Sequence, residues 1–336
     1  MQRPRITLIG TGGTITMTPG PTGVVPSLSA QDVIDAVPAL ARHAQLDAIS
    51  YSMKPGASLV LEDLVTIATL IDARIEDGVG GVVVTQGTDT IEETAFVLDL
   101  LVQSSAPVVV TGAMRPASAI GADGPANLLA AVLVASQPAA AGFGALVVLN
   151  DEIHAARYVR KCHTALPSAF ESPGAGAVGM VLEEQAVFHW RLQRAAPLSR
   201  PQALHEFPVA LVALTLGDDA RLLEALPGLG YRGVVLEALG AGHVPAALVA
   251  PLQALARQMP VVLSTRVAAG PVLSRSYGFA GSESDLLERG LISGGWLSPG
   301  KTVQLLRLLL ALGVSPREIE GRFAHYGRAN LTSRVS

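Results

Sequence analysis

The chain has 336 residues, enough for two domains, and 49 % of them are apolar, so a large core can be buried. Charged residues make up 15 % and the net charge is −4, so nothing suggests a nucleic-acid partner, which would call for a basic patch. The single cysteine, Cys162, excludes an intramolecular disulfide framework and a thiol-rich zinc site. No apolar run approaches the roughly 20 residues of a membrane helix, so we expect a cytoplasmic protein without membrane contact, if the sequence is the full gene product.

The first half of the chain alternates short β-branched runs with helical patterns. The predicted strands are Ile6–Ile9, Gly81–Thr85, Val108–Thr111 and Leu146–Leu149. The predicted helices are Gln31–Ala41 with Ser29 as its cap, Leu61–Ile75, Ile91–Val102 and one that opens at Asp123-Gly124-Pro125. Continuous apolar strands separated by helices predict a mostly parallel sheet covered on both faces.

The pattern breaks down from about Leu182 to Pro208, where prolines and mixed charges show no period. We interpret residues 188–208 as a linker between an N-terminal catalytic α/β domain (1–187) and a smaller C-terminal α/β domain (209–336). The elements predicted after the linker are the strands Val209–Thr215, Gly233–Glu237 and Val261–Ser264, and the helices Ala220–Leu226, Pro245–Arg257, Lys301–Leu312 and Pro316–Arg322.

Ligands of open parallel sheets bind at the loops that leave the carboxyl ends of the strands. The first such loop is Gly10-Thr11-Gly12-Gly13-Thr14-Ile15, and it fails the dinucleotide pattern because Ile15 stands where a glycine is required. The loop is either a tight turn without chemistry or a mobile backbone that presents one of its two threonine hydroxyls as a nucleophile.

The second loop is Thr85-Gln86-Gly87-Thr88-Asp89-Thr90, followed by two glutamates. Capping of the next helix by Thr88 or Asp89 explains the acidic residues but explains the preceding polar run less well. The third loop, Gly112-Ala113-Met114-Arg115-Pro116, has small residues that permit a ligand to approach the backbone, although a loop without function fits as well.

The fourth loop runs from Asn150-Asp151 to Lys161, one of only three lysines in the chain. A lysine, unlike an arginine, can lose its proton when desolvated, so Lys161 is either a catalytic base or a solvated surface cation. Cys162 is a weaker candidate nucleophile, since only its sequence neighbours Lys161 and His163 favour it. The histidines are scattered without metal-ligand spacing, and we expect no metal.

Taken together, these loops resemble the bacterial L-asparaginase/glutaminase family. The resemblance extends through the second domain, so it covers nearly the whole chain. The matching runs are Thr11-Gly12-Gly13-Thr14-Ile15, Gln86-Gly87-Thr88-Asp89-Thr90-Ile91-Glu92-Glu93-Thr94, Gly112-Ala113-Met114-Arg115-Pro116, Ala122-Asp123-Gly124-Pro125, Asn150-Asp151 and Lys161.

The resemblance implies a role for each matching position. Thr14 matches the threonine that attacks the substrate amide, and Thr88, Asp89 and Lys161 match a polar group that activates a hydroxyl or a water. Asp89 also matches the residue that holds the substrate's α-amino group, and Ala113 a position whose backbone contacts the amide. The family fold is a larger and a smaller α/β domain, assembled as tetramers of intimate dimers, so we expect a homotetramer or homodimer that uses no cofactor.

Several positions depart from the family pattern. Gly23 stands where the family has a loop tyrosine, and Gly56-Ala57 stands where it has a Ser-Gln pair that binds the substrate, with Ser58 one place later. Ala241 replaces an asparagine of the second domain, and the glutamate that a neighbouring subunit supplies cannot be located around Arg275–Ser284. The resemblance therefore predicts the chemistry more firmly than the substrate.

The predicted activity is hydrolysis of L-asparagine to L-aspartate and ammonia, a step in asparagine catabolism, through a threonine acyl-enzyme. Alternatives are an amidase for another small amide or a D-amino acid amide, a nucleotide-binding oxidoreductase, and a non-catalytic or amidotransferase-subunit relative. An oxidoreductase would carry a chromophoric cofactor. The amidotransferase subunit has an extra N-terminal domain, whereas here the first loop begins at Gly10.

Overall fold

The computed structural model of the chain describes residues 3–20, 23–328 and 331–334. Two compact units divide between Leu198 and Ser199, and a last strand near the C-terminus belongs to the first unit. Each unit is an α/β structure with its own sheet, and the predicted fold class is confirmed. The predicted boundaries at 187 and 209 stay predictions.

The described residues of the first unit form thirteen strands before the division. They are β1 (Arg5–Gly10), β2 (Met17–Gly20), β3 (Gly23–Pro26), β4 (Gln45–Ser50), β5 (Gly81–Thr85), β6 (Val108–Thr111), β7 (Ala145–Leu149), β8 (Glu152–Ala155), β9 (Arg160–Lys161), β10 (Phe170–Glu171), β11 (Gly179–Leu182), β12 (Gln185–Phe188) and β13 (Trp190–Leu192). Its α-helices are α1 (Ala30–Asp35), α2 (Leu61–Glu76), α3 (Ile91–Leu101) and α4 (Gly124–Ala135). Short 3-10 helices occupy Thr14–Thr16, Pro38–Arg42, Gly56–Ser58, Thr88–Thr90 and Pro138–Ala140.

Eight of these strands form the main sheet in the order β12-β11-β8-β7-β6-β5-β1-β4. The five strands from β7 to β4 are parallel, and β8, β11 and β12 continue the sheet in antiparallel pairs. Every residue of β5, β6 and β7 is buried, so both faces of the parallel part are covered.

The carboxyl ends of the parallel strands lie side by side. Gly10 pairs with both Ser50 and Thr85, and Thr85 pairs with Thr111. The loops that follow β1, β4, β5 and β6 therefore leave the sheet from one edge. This edge carries the candidate chemistry.

The helix predicted at Gln31–Ala41 is wrong in its second half. Ser29 caps α1 with a reciprocal capping box, as expected, but α1 ends at Asp35. Pro38 opens a separate 3-10 helix instead, because proline cannot donate the backbone bond that would continue the α-helix. The hairpin of β2 and β3 and the sheet-edge strand β4 were not predicted.

The second unit has a four-stranded parallel sheet in the order β14-β15-β16-β17. Its strands are β14 (Val209–Ala213), β15 (Gly233–Ala238), β16 (Val261–Thr265) and β17 (Ile292–Ser293). Its helices are α5 (Arg221–Ala225), α6 (Val249–Ala256), α7 (Glu283–Glu288), α8 (Pro299–Ala311) and α9 (Pro316–Tyr326), with 3-10 helices at Leu204–Glu206 and Ala246–Leu248. Strand β18 (Leu331–Arg334) pairs with β13.

Among the described helices, none combines the length and the apolar character that crossing a bilayer requires.

Candidate active site

The loop after β1 turns sharply and starts a 3-10 helix at Thr14. Gly12 and Gly13 have φ values of 106° and 87°, which glycine adopts far more easily than other residues. The hydroxyl of Thr16 donates to the carbonyl of Gly13 at 2.8 Å and closes the turn. Thr14 is half-buried between these two fixed positions. The loop is thus a tight turn and also presents a hydroxyl.

Three buried glycines bring three loops into direct backbone contact. A Cβ on Gly13 would lie 2.0 Å from the backbone nitrogen of Gly87, and one on Gly87 would lie 2.6 Å from that of Gly56. Any side chain at these positions would overlap backbone atoms. Because Thr14 directly follows Gly13 and Thr88 directly follows Gly87, the contact brings the two threonine-bearing turns together. We call Gly13, Gly56 and Gly87 the glycine junction.

Lys161 lies on the two-residue strand β9, which pairs with β10. Its Nζ donates to the Thr88 hydroxyl at 2.9 Å and to Asp89 Oδ1 at 2.9 Å. The lysine side chain is only 19 % exposed, whereas that of Asp89 is 63 % exposed. Lys161 is therefore not a solvated surface cation. The helix-capping interpretation of Thr88 and Asp89 is also wrong, since α3 has no side-chain cap bond.

A chain of hydrogen bonds joins the Thr88 turn to the Gly56 turn. The Gln86 side-chain amide donates to the Thr90 hydroxyl at 3.1 Å, and that hydroxyl donates to the Gly56 carbonyl at 2.9 Å. Gly56 is buried, whereas Ala57 and Ser58 are exposed. The predicted substrate-binding segment is thus fixed at its first residue and open at the other two.

An ionic network holds the chain just before this segment. The Lys54 ammonium lies 2.8 Å from Asp63, which also accepts from the Tyr51 hydroxyl at 3.1 Å. Burial works to raise the pKa of Asp63, but the hydrogen bonds from Lys54, from the Val60 N–H and from Tyr51 outweigh it and hold the pKa below its usual value. The Lys54 backbone also packs against Gly12, so the network supports the loop that carries Thr14.

The loop after β6 is held by hydrogen bonds to two residues at the start of α4. Asp123 Oδ2 and Oδ1 accept from the backbone N–H of Met114 and Arg115 at 2.9 and 2.8 Å. Asn127 donates to the Gly112 carbonyl at 3.0 Å. Ala113 lies between these anchored residues and is fully buried. Gly112 adjoins Thr88, because a Cβ on this glycine would lie 3.4 Å from Thr88 Cγ2.

This edge of the sheet thus combines hydroxyls, a lysine–carboxylate pair and a tightly held backbone, the groups that attack on a carboxamide needs. Family comparison agrees with this chemistry. Residues 5–194 match the model for the asparaginase N-terminal domain, and residues 208–323 match the glutaminase/asparaginase C-terminal domain. The chain belongs to the asparaginase family.

Relatives of this family match over almost their whole length. A probable L-asparaginase of Deinococcus radiodurans is 38 % identical, with 95 % of this chain and 97 % of the relative covered. L-asparaginase 2 of Bacillus subtilis is 34 % identical, with 96 % and 87 % covered. The crystal structure of a probable cytoplasmic L-asparaginase from Campylobacter jejuni superposes with a TM-score of 0.86 at 32 % identity, covering 96 % of this chain and all of that one. The chain is an asparaginase-type amidohydrolase, and the predicted family and enzyme class are confirmed.

The predicted site residues of the first unit are brought to one edge. Cys162 is exposed beside Lys161, in the wall of a cavity of about 350 Å³ with Asp89. Gly23 lies in the β2–β3 hairpin with a φ of 136°. No group of metal-ligating side chains is found in the described ranges.

Sequence reasoning missed the residues that hold the loops, chiefly Gln86, Thr90, Lys54, Asp63 and Asn127. Asn127 had one available signal, since it is the only polar side chain within α4.

Proposed function

We propose that the protein hydrolyses L-asparagine to L-aspartate and ammonia, with Thr14 as the nucleophile. One observation carries the proposal. The Lys161 ammonium contacts both Thr88 and Asp89 at 2.9 Å, and the glycine junction brings this group against the loop that presents Thr14. A weak hydroxyl nucleophile needs a neighbouring group that can take up its proton, and Lys161 fills that role in its neutral amine form.

In the proposed first step, the Thr14 hydroxyl oxygen bonds to the amide carbon and its proton passes to the departing nitrogen, so that ammonia leaves. Thr88 and Lys161 relay protons during this transfer. As the first residues of 3-10 turns, Thr14 and Thr88 have backbone N–H groups that the turns leave unbonded, and these stabilise the oxyanion. Water then cleaves the ester, releases the acid and restores Thr14. The reaction consumes only water and requires no cofactor.

Substrate binding is proposed at Asp89 for the α-amino group, at Gly56, Ala57 and Ser58 for the carboxylate, and at the Ala113 backbone for the amide. Asp89 is well exposed and thus open to a ligand. Few side chains besides Asp89 bind the head group, so a D-amino acid amide or another small amide remains the competing substrate.

Ammonia release from a panel of L-asparagine, D-asparagine, L-glutamine and simple amides tests the proposal. Wild-type protein should prefer L-asparagine, and Thr14→Ala should lower kcat by orders of magnitude with the fold intact. Thr18→Ala is the matched control, because this threonine lies in β2, bonds to Ser27 just after β3 and has no proposed role. Near wild-type turnover by Thr14→Ala would refute the nucleophile assignment, and preference for another amide would refute the substrate.

We also propose that the active form is a homotetramer or homodimer located in the cytoplasm. The Campylobacter jejuni relative is described as cytoplasmic, although a Haemophilus influenzae relative is described as periplasmic. Light scattering at assay concentration should report a dimer or tetramer. A fully active monomer would contradict the oligomer.

A further inference from the structure

The loop that carries Ala113 is anchored on both sides of that residue. Before it, the Gly112 carbonyl accepts from Asn127 Nδ2 at 3.0 Å. After it, the N–H groups of Met114 and Arg115 donate to the two oxygens of Asp123 at 2.9 and 2.8 Å. These bonds fix the peptide planes that flank Ala113.

Asn127 uses both ends of its buried amide. Its Nδ2 also donates to Asp123 Oδ2 at 3.1 Å, and its Oδ1 accepts from the backbone N–H of Asn150 at 2.9 Å. The side chain is only 2 % exposed, so these bonds are shielded from water. One amide therefore fixes the exits of β6 and β7 to each other and to the start of α4.

Ala113 itself is different. It is fully buried, yet neither its N–H nor its C=O has a hydrogen-bond partner anywhere in the described part of the chain. Well over 90 % of buried backbone polar groups in proteins are paired. An unpaired peptide group held rigidly by its neighbours is an acceptor kept ready for a ligand.

We propose that Asn127 and Asp123 are positioning residues that aim the Ala113 carbonyl at the leaving –NH₂ group of the substrate. This inference rests on the proposed amide hydrolysis and adds the origin of its preference for amides. A substrate whose leaving group has no N–H donor gains nothing from that carbonyl. The two residues should therefore matter for an amide and much less for the corresponding ester.

The test compares L-asparagine with the β-methyl ester of L-aspartate, which has the same acyl part and releases methanol. Asn127→Asp puts a carboxylate next to the Gly112 carbonyl, and Asp123→Asn, which keeps one oxygen, puts an –NH₂ group against one of the two backbone N–H groups. In each variant kcat/KM for the amide relative to the ester should fall about tenfold, the upper value of one neutral hydrogen bond. A fall for the amide alone, with melting temperature retained, is a result that a general loss of structure would not give.

Asp72→Asn is the matched control. Asp72 also accepts from two consecutive N–H groups, those of Gln103 and Ser104 at 3.0 to 3.1 Å, but this loop precedes β6 and lies at the opposite end of the strand. Its amide-to-ester ratio should match wild type within about twofold, since no reacting group is near.

Equal losses for amide and ester, or an unchanged ratio in both variants, would overturn the inference while leaving the hydrolase intact. Failure of both variants to fold would also overturn it, because the side chains would then serve the fold rather than the Ala113 carbonyl. A wild-type protein that hydrolyses neither substrate would instead refute the proposed function.

Discussion

Placing a methyl group in the glycine junction should separate the turns that carry Thr14 and Thr88. In Gly13→Ala the new Cβ would start 2.0 Å from the Gly87 nitrogen, and the backbones must part by about 1 Å to reach 3.0 Å, the shortest separation that Cβ atoms tolerate. A misplacement of about 1 Å can cost roughly 100-fold in rate, because the nucleophile no longer lies at bonding distance in line with its target. Gly13 combines a φ of 87° with a ψ of −175°, a region that essentially only glycine occupies, so alanine adds a backbone cost of about 1–3 kcal/mol.

The matched control is Gly78→Ala. Gly78 has a nearly identical φ of 85°, but a Cβ there meets no atom within 4 Å. Gly13→Ala should be the less stable of the two variants in urea unfolding, because its Cβ also overlaps backbone atoms, and it alone should lose about 100-fold in kcat/KM for L-asparagine. Gly13→Ala activity within threefold of wild type, or an equal loss of activity in Gly78→Ala, would refute this role of the glycine junction.

Lys161→Met should lower kcat by about 10²–10⁴-fold with little change in melting temperature, since the lysine acts mainly on the proton transfer. Lys161→Arg should not restore activity, because arginine keeps its proton; recovery to wild-type rate would exclude a relay role. Asp63→Asn should be less stable at neutral pH. The pKa of Asp63 is depressed, so its contribution is complete above the unfolded-state value of about 3.9 and is lost as pH falls through the lower folded-state value. The melting-temperature gap to wild type should therefore close below about pH 4, and a gap independent of pH would contradict the ionic origin. Each missing head-group contact, as at Gly56-Ala57, should weaken substrate affinity by roughly 10- to 150-fold. Steady-state kinetics that gave a low micromolar KM for L-asparagine alone would show that other groups replace them.

Much of the sheet was predictable because its strands are apolar runs bounded by glycine or polar residues. Strands β5 and β6 begin and end where the sequence predicts them. Strand β4 was missed because its residues are mixed in polarity, as expected at the edge of a sheet that is covered less completely. The antiparallel strands β8 to β12 are too short to produce a period.

The site was predictable only in part. Lys161 and Asp89 are 72 residues apart, and no local spacing relates them, so only the family resemblance indicated that they lie together. The function of the glycines was equally hidden. The sequence shows that Gly56 and Gly87 lack side chains, but it does not show that their backbones are in direct contact. Asn127 follows the same logic, since its partners come from three separate parts of the chain.

The ends of β1, β4, β5 and β6 lie level with one another, so the register of these strands determines the relative positions of the loops that follow them. A register shift of one residue moves a strand by about 3.3 Å. This shift is larger than the spread of donor–acceptor distances found in hydrogen bonds, which is about 0.5 Å. A loop can therefore meet its neighbour only if its strand keeps its place in the ladder, and that place is set by buried side chains such as Val82, Val83 and Val84, all 0 % exposed. Substitutions in this core can impair catalysis from the middle of the sheet without touching a single catalytic residue. Activity should therefore depend on the register of the strands. Inactive variants found by random mutagenesis should map to the sheet interior as well as to its edge.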